Sequence, residues 1–329
     1  MKGFFVISLD LEKMYGVFDS KTIVNYGSNI EGVREVVPKI LNLFEQYNIS
    51  ATWAFVGMML FYNKEELLRF SPKERINYSE MKHSIYSCLR TINQSDFELY
   101  FEGSEIIKII SNSAKQELAS HTYSHSYCLE PGFDLRVFKE EMKFKINLFR
   151  EKFNRELKSM VFPRNQYSEE VIATLKELGF VSYRGNIDSW LHHSRSEREI
   201  SFLIKVFRFF NSYLNLFPNL EANYHLKGGV DVVNIEASAF FRPYNSKIKI
   251  LERLKINRIK RSMLKAAKNR KLFHLWWHPH NFGINQNENL KQLEEILAYY
   301  RILEEKYDFM NITMGDLGED IHNGKLHLR

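Results

Sequence analysis

Two histidines four residues apart, His121 and His125, stand in the stretch ELASHTYSHSYC. This spacing predicts that both imidazoles lie on one side of a helical turn. A borderline divalent cation takes two or three nitrogen and oxygen ligands and leaves a position open for water, so two histidines and a carboxylate would form a suitable set. The spacing alone is weak evidence, because such pairs are more often polar surface or satisfied core groups.

Other chemically active side chains also follow apolar segments of the chain. Asp10 and Glu12 come directly after FFVISL, PRNQY begins at Pro163, and His278 and His280 stand in HPHNFG. Side chains at i and i+2 of an extended segment point the same way, so Asp10 and Glu12 can reach one ion. We therefore expect His121, His125 and one of these two carboxylates to bind one divalent cation.

These residue types favour metal-assisted hydrolysis of an acyl group. A bound divalent ion lowers the pKa of water from 15.7 toward ~7 and polarises an acyl carbonyl. A carboxylate takes the proton of the water, and a second acid must protonate a departing amine, because an amide anion is a poor leaving group. His278 suits the second role, since the unperturbed pKa of histidine is ~6.5. An ion and a fixed strand-end amide would stabilise the oxyanion.

Segments with strand character alternate with helix-period segments along the chain. The predicted strands cover residues 4–9, 51–57, 115–120, 159–162, 181–183, 231–236 and 272–277. The alternation predicts an α/β fold of βα units around a parallel sheet, and about seven units favour a distorted (β/α) barrel over an open sheet. In such a fold the chemistry lies at the carboxyl ends of the strands. Residues 1–329 are predicted to form a single catalytic domain, with insertions near 62–104 and 194–226.

The charge of the chain is concentrated in one segment. The net charge is +6, yet residues 245–271 hold eleven Lys or Arg against the single acid Glu252, so the rest of the chain is acidic and nucleic-acid binding is not expected. The segment is predicted to be a helix with Lys255, Arg258, Arg261 and Lys265 on its outer face. Those charges would attract a phosphate-linked sugar or an anionic membrane surface.

Two cysteines and the lack of an apolar run of ~18 residues predict a protein without disulfides or membrane spans. No export signal is visible at the amino terminus. We therefore expect a cytoplasmic location. A further expectation is peripheral contact with the inner face of the membrane.

The segments ISLDLE, ATWAFVG, ASHTYSHSY, FPRNQYS and LWWHPHNFG resemble, in order and spacing, the motifs of the polysaccharide deacetylases, carbohydrate esterases with a NodB-homology domain. The extended opening and HPHNFG are most similar to the branch associated with bacterial surface-polysaccharide synthesis. The resemblance implies a barrel holding a divalent ion, with zinc first and cobalt, nickel or manganese as alternatives. It also implies removal of acetyl groups from amino sugars, so an acetylated sugar or glycan is the expected partner.

The resemblance assigns a role to each motif residue. It implies that His121 and His125 are metal ligands, Asp10 the general base and His278 the general acid. Glu12 would then be the third ligand, although the two carboxylates could exchange roles. A looser match makes Asp188 an acid that orients the catalytic groups. The expected oxyanion and substrate contacts are Pro163, Arg164, Asn165, Trp277 and His280.

The chain departs from the family pattern at two places. Leu11 separates the two acids that are usually adjacent, and Val161 stands where the family usually has an arginine two residues before the proline of the third motif. Another group must therefore do the work of that arginine. The alternatives are an O-deacetylase or other amide hydrolase on the same fold, or a non-catalytic sugar-binding or scaffold protein of a glycan-assembly complex.

Overall fold

The computed structural model describes residues 2–187, 189–213, 222–226 and 232–326. Strands occur in these residues at β1 (Gly3–Leu11), β2 (Ala51–Phe55), β3 (Gln116–Ser120), β4 (Ser159–Val161), β5 (Ser182–Asn186), β6 (Tyr224–Leu226), β7 (Val233–Ala237), β8 (Ala239–Phe240), β9 (Leu272–Trp277) and β10 (Phe309–Asn311).

The α-helices of the described residues lie mainly between successive strands. They are α1 (Ile23–Glu31), α2 (Val33–Gln46), α3 (Lys64–Phe70), α4 (Ile85–Thr91), α5 (Gln94–Tyr100), α6 (Ser104–Asn112), α7 (Leu135–Phe153), α8 (Glu169–Glu177), α9 (Phe202–Tyr213), α10 (Lys249–Lys268), α11 (Gln286–Tyr307) and α12 (Met314–His322). Within the described ranges, none of these helices combines the length and the apolarity that a membrane span requires.

The strands form a mostly parallel sheet that returns on itself. Its order is β6-β7-β5-β4-β3-β2-β1-β9-β8, with β10 beside β1 and the edge strand β6 antiparallel to β7. Only Ser238 separates β7 from β8, yet β7 pairs with β5 and β8 pairs with β9. This break in one extended segment joins the two sides of the sheet into a distorted barrel, so the predicted α/β barrel is confirmed.

Alternation along β1 explains why the barrel presents chemistry at one end. Phe4 and Val6 face the barrel interior, where they belong to one buried cluster, while Phe5 and Ile7 face the helices and belong to another. The inward positions continue as Ser8, Asp10 and Glu12, because strand side chains alternate between faces. The sequence therefore places apolar groups at the start of the strand and acids at its end.

Helix α12 fills the amino-terminal end of the barrel. Its Met314, Leu317 and Ile321 share the interior cluster with Phe4 and Val6. Capping by Thr313, whose side chain accepts a hydrogen bond from the Asp316 N–H, begins this helix where β10 ends. With that end filled by apolar side chains, the carboxyl ends of the strands form the accessible end of the barrel.

Helix α10 corrects the prediction made for the basic segment. Lys255 and Arg258 are buried, with 1% and 7% of their surface exposed, whereas Arg261 and Lys265 are exposed. The Lys255 Nζ atom pairs with Glu252 Oε2 at 2.6 Å, so the one acid of the segment draws a lysine inward. Lys255 and Arg258 therefore do not lie on an outer face that could meet a membrane.

Candidate active site

Glu12 lies between the two histidines at the carboxyl end of β1. Its Oε2 atom is 3.0 Å from His121 Nε2 and 3.1 Å from His125 Nε2, and all three side chains are buried. The sequence predicted this grouping, which the structure brings together from β1 and the segment after β3.

The two histidines lie in a loop, so the predicted helical turn is wrong. His121 continues the inward register of Ala119, and the chain then turns through left-handed conformations at Thr122 (φ 58°) and His125 (φ 57°). Such conformations are costly for residues with side chains and concentrate at functional sites. The turn brings the two imidazole centroids to 5.1 Å.

Two buried side chains of α7 hold this loop in place. The Lys145 Nζ group donates to the Phe55 carbonyl, to Ser120 Oγ at 3.1 Å and to the Thr122 carbonyl at 3.0 Å. Burial holds the pKa of Lys145 well below its usual value. Glu141 accepts a hydrogen bond from Ser124 Oγ at 2.6 Å, and burial raises the pKa of Glu141 to about 7. Sequence analysis missed both residues, since they lie on an amphipathic helix whose charged side chains are expected to face solvent.

The donor set fits a divalent cation. His121 Nδ1 lies 2.8 Å from the Val161 carbonyl and must carry a proton to donate to it. When this ring is neutral, the lone pair of Nε2 faces the Glu12 carboxylate, an arrangement that a cation between them would satisfy. Donors around a tetrahedral ion with bonds of ~2.0–2.1 Å lie about 3.3 Å apart, close to the spacing found here. The ligand atoms of these three residues all lie within 4.8 Å of one another.

The ionisation of these groups also suits a cation site. Burial would raise the pKa of Glu12, but the nearby His278 and the hydrogen bonds of His121 and His125 hold it well below its usual range. Burial lowers the pKa of His125, which favours the neutral ring that a metal requires.

Asp10 has a different partner, the guanidinium of Arg184 on β5. Arg184 Nη1 lies 2.6 Å from Asp10 Oδ1 and Nη2 lies 2.7 Å from Oδ2, a bidentate pair in which both residues are at most 3% exposed. Burial would raise the pKa of Asp10, but the charge and hydrogen bonds of Arg184 lower it below the usual value. Asp10 is therefore a fixed, ionised carboxylate beside the Glu12 site.

The structure brings the guanidinium of Arg184 to Asp10, whereas Val161 stands where the family usually has an arginine. The Arg184 guanidinium also donates to Asn165 Oδ1 at 3.0 Å and to Ser8 Oγ at 3.0 Å, and it stacks over the Trp276 ring at 4.2 Å. Sequence analysis missed this residue. The available signal was the alternation in SYRGN, where Ser182, Arg184 and Asn186 take one face of the strand and the apolar Tyr183 takes the other.

His278 lies at the end of β9 and faces both carboxylates. Its Nε2 atom is 3.3 Å from Glu12 Oε1 and 3.7 Å from Asp10 Oδ2, so a protonated ring would form ion pairs with both. His278 Nδ1 lies 3.2 Å from Asn281 Oδ1, and the Asn281 amide donates to the Tyr26 hydroxyl at 3.1 Å. These contacts fix the ring with Nε2 directed into the site.

The neighbouring residues of HPHNFG and β9 lie differently from the sequence prediction. Trp277 is fully buried against Phe282 and Phe241, so it has no surface for substrate, and the prediction of contact is wrong for this residue. Strand alternation puts Trp276 on the inner face instead. His280 is buried with its ring stacked on that of His278, and burial lowers its pKa to about 3. His280 is therefore a neutral group behind His278.

The third motif forms a short turn at the rim after β4. Pro163 is buried, while Arg164 (φ 54°) and Asn165 (φ 51°) are left-handed and line the cavity. The Asn165 N–H donates to the Phe162 carbonyl, whereas the Arg164 N–H finds no acceptor among the described residues. That N–H is thus available to an oxyanion. Asp188, predicted as an orienting acid, lies outside the described residues.

The site opens into a cavity of about 550 Å³, a size suited to a small ligand. Its walls include Asp10, Glu12, His125, Trp276 and His278. A larger cleft of about 790 Å³ runs along the amino-terminal end of β3, and neither the candidate cation ligands nor Asp10 lines it.

Comparison with known proteins gives one family match in sequence. The family model described as polysaccharide deacetylase matches residues 17–183, just over half of the chain. No curated protein matches the chain in sequence.

Solved structures share the fold at low sequence identity. A protein of Mycobacterium smegmatis described as a polysaccharide deacetylase superposes with a TM-score of 0.62 at 14% identity, over 100% of this chain and 94% of its own. A Pseudomonas aeruginosa PAO1 protein of the same description gives 0.56 at 11% identity, over 97% and 90%. Puue allantoinase gives 0.55 at 12% identity, also over 97% and 90%.

The matched range contains both histidines and the third motif, and the superposed structures extend the fold over the remainder. The chain therefore belongs to the polysaccharide deacetylase family and is a hydrolase of the deacetylase class.

Proposed function

We propose that the protein is a metal-dependent hydrolase that removes the acetyl group from an N-acetylated sugar during synthesis of a bacterial surface glycan. The observation that carries the proposal is that the two carboxylates have different partners. Glu12 faces two imidazoles, whereas Asp10 faces a guanidinium. This difference supports Glu12 as the ligand of a cation and Asp10 as the base.

Glu12, His121 and His125 would hold the ion, with zinc the first candidate and cobalt, nickel or manganese as alternatives. Such an ion acidifies a water molecule and polarises the acyl carbonyl. Asp10 accepts the proton of the attacking water, because Arg184 keeps it ionised and oriented. The free N–H of Arg164 donates to the oxyanion.

His278 completes the reaction by delivering a proton to the amine that leaves. Its Nδ1–H donates to Asn281 Oδ1, so in the protonated ring the transferable proton is the one on Nε2, the atom that faces the two carboxylates. An amine cannot depart as an anion, which makes this acid necessary for an amide and less so for an ester. The need for His278 therefore separates N-deacetylation from O-deacetylation.

Two other functions stay as alternatives. The similarity of the fold to Puue allantoinase favours a different amide as substrate for the same site. A non-catalytic sugar-binding or scaffold role has less support, because such a role needs neither the buried Asp10–Arg184 pair nor the convergent Glu12, His121 and His125.

Acetate release tests the proposal. The protein is stripped with a chelator, reloaded with zinc, cobalt, nickel or manganese, and incubated with N-acetylated and O-acetylated sugars. We expect acetate from an N-acetylated sugar only after reloading, and a loss of ~10²-fold or more in His278→Ala. Acetate release that persists after complete metal removal, or from O-acetyl esters alone, would contradict the proposal.

A further inference from the structure

The cavity beside the candidate cation site is lined by an excess of basic groups. Its described walls carry seven Arg or Lys side chains and three acids. The acids are already engaged, since Asp10 pairs with Arg184, Glu12 faces the histidines and Glu197 pairs with Lys82 at 3.0 Å. The basic side of the cavity is defined here by five of these residues: Arg195, Lys205, Arg208, Arg242 and Arg258.

Arg258 is the most buried member of the basic side. It projects from α10 with 7% of its surface exposed, and its Nε atom has no hydrogen-bond partner. Among the described residues no carboxylate pairs with it, and burial lowers its pKa to about 10, so it remains charged at neutral pH. A buried charge without a partner is costly, which calls for an anion that the folded chain itself does not supply.

Within the described ranges, Arg208 and Arg242 form no ion pair with a carboxylate either. Arg208 Nε donates to the Leu191 carbonyl at 2.9 Å, a contact that leaves its charge uncompensated. Burial and the charge of Arg195 both lower the pKa of Arg208. Hydrogen bonds from Ser196 lower the pKa of Glu199, and the charge of Arg195 lowers it further.

The pKa of His192 is affected by three of these arginines at once. Burial first, and then Arg208, Arg258 and Arg195, lower the pKa of His192 to about 4. Its ring is therefore neutral near pH 7 and adds no further charge. Three guanidinium groups from α9, α10 and the segment before α9 thus act on one point of the cavity wall.

We propose that the basic side of the cavity binds a phosphate group carried by the acetylated sugar, so that the substrate is a sugar phosphate or sugar diphosphate. Guanidinium groups match phosphate oxygens in bidentate geometry. A phosphate group carries more than one negative charge, so several guanidinium groups suit it better than they suit a single carboxylate. The same cavity reaches Asp10 and His278, so one ligand can place its phosphate and its acetyl group together. This inference rests on the proposed function for the acetyl group alone.

Pyrophosphate is a suitable probe because it requires no knowledge of the sugar. Its binding to the metal-loaded protein is measured by titration calorimetry in wild type, Arg258→Met, Arg208→Met and the matched control Arg261→Met, an exposed arginine of the same helix. We expect the first two substitutions to weaken binding ~10- to 100-fold, the scale of one charged hydrogen-bonding group, and the control to leave it unchanged.

Thermal unfolding in the absence of any anion separates binding from a structural role. Removing an unpaired buried charge should leave the melting temperature of Arg258→Met equal to or above that of wild type. A melting temperature well below wild type, together with unchanged pyrophosphate binding in Arg208→Met, would overturn the proposal. Malonate bound as tightly as pyrophosphate would overturn phosphate as the ligand class.

The source of the phosphate is resolved by comparing carriers. An N-acetylhexosamine 1-phosphate, its nucleotide diphosphate ester and its prenyl diphosphate ester are each compared with the neutral sugar. At least one carrier should bind ~10-fold or more tightly than the neutral sugar, and Arg258→Met should abolish the difference. Equal affinity for all four would overturn the inference while leaving deacetylation intact, whereas tight binding without acetate release would contradict only the proposed function.

Discussion

Replacing Arg184 with methionine should both destabilise the fold and impair the base. The side chain makes two charge-assisted hydrogen bonds to Asp10, at 2.6 and 2.7 Å, and both residues are almost completely buried. Removing one partner of a buried pair leaves the other charge uncompensated, at a cost of about 3–5 kcal/mol. Arg184→Met should lose this amount of unfolding free energy, measured by urea denaturation at pH 7.

The pairing also has a pH signature. Arg184 lowers the pKa of Asp10 in the folded protein, so the pair stabilises the fold above the unfolded pKa and loses that contribution as the pH falls through the folded value. In Arg184→Met the acid limb of the rate profile should therefore move to higher pH. Arg184→Lys keeps the charge but cannot form the bidentate pair. The acid limb of its rate profile should therefore lie between those of wild type and Arg184→Met.

A double substitution provides the control. Asp10→Asn combined with Arg184→Met leaves no buried charge unpaired. The double variant should therefore lose less unfolding free energy than the sum of the two single variants. Additive losses, or an Arg184→Met protein with the stability and pH profile of wild type, would refute the reasoning. The exposed Arg261→Met should change neither property.

Three further predictions concern the walls and supports of the site. Trp276→Ala should raise KM in acetate-release kinetics with little loss of stability, whereas Trp277→Ala should cost about 3–5 kcal/mol on urea unfolding; equal effects would contradict the alternation of β9. Lys145→Met should lower stability by about 1–3 kcal/mol and weaken zinc binding in calorimetry, because it leaves loop carbonyls unpaired; wild-type values of both would refute its anchoring role. The raised pKa of Glu141, about 7, means that folding binds a proton and that stability falls as the pH rises from about 4.5 to 7. Glu141→Gln should remove about 2.5 kcal/mol of that fall between unfolding at pH 5 and pH 8, and an unchanged fall would contradict it.

The sequence predicted those strands that are marked by a local run of apolar residues. Residues 272–277 coincide with β9, and residues 4–9 lie within β1, because each is a short apolar run bounded by polar residues. The short strands β6, β8 and β10 were missed, since their pairing depends on partners far away in sequence. The prediction for 231–236 overlaps β7, although Asp231 lies outside the described residues.

Local alternation of side chains also determined which site residues could be predicted. The i, i+2 alternation predicted Asp10 and Glu12 on one side of the chain, and both side chains lie in the cavity at the end of β1. The same alternation, applied to β9, would have favoured Trp276 over Trp277. Arg184 could not be assigned to Asp10 from sequence, because 174 residues separate the pair and only closure of the barrel brings them together.

Charge burial was the hardest feature to predict. A helix with eight basic residues is expected to expose them, but α10 packs against the barrel with Lys255 and Arg258 turned inward. Lys255 is accounted for by Glu252, whereas Arg258 has no carboxylate partner among the described residues. This departure from solvent exposure is the basis of the phosphate site proposed above.

Metal content measured together with turnover tests the central claim most directly. Wild type, Glu12→Gln and Asp10→Asn are purified, loaded with zinc, dialysed and analysed for metal per chain, and each is assayed for acetate release. The account predicts about one ion per chain in wild type and Asp10→Asn, loss of the ion in Glu12→Gln, and turnover lowered by ~10²-fold or more in both variants. Loss of the ion in Asp10→Asn with full metal in Glu12→Gln, or equal metal in all three, would contradict it.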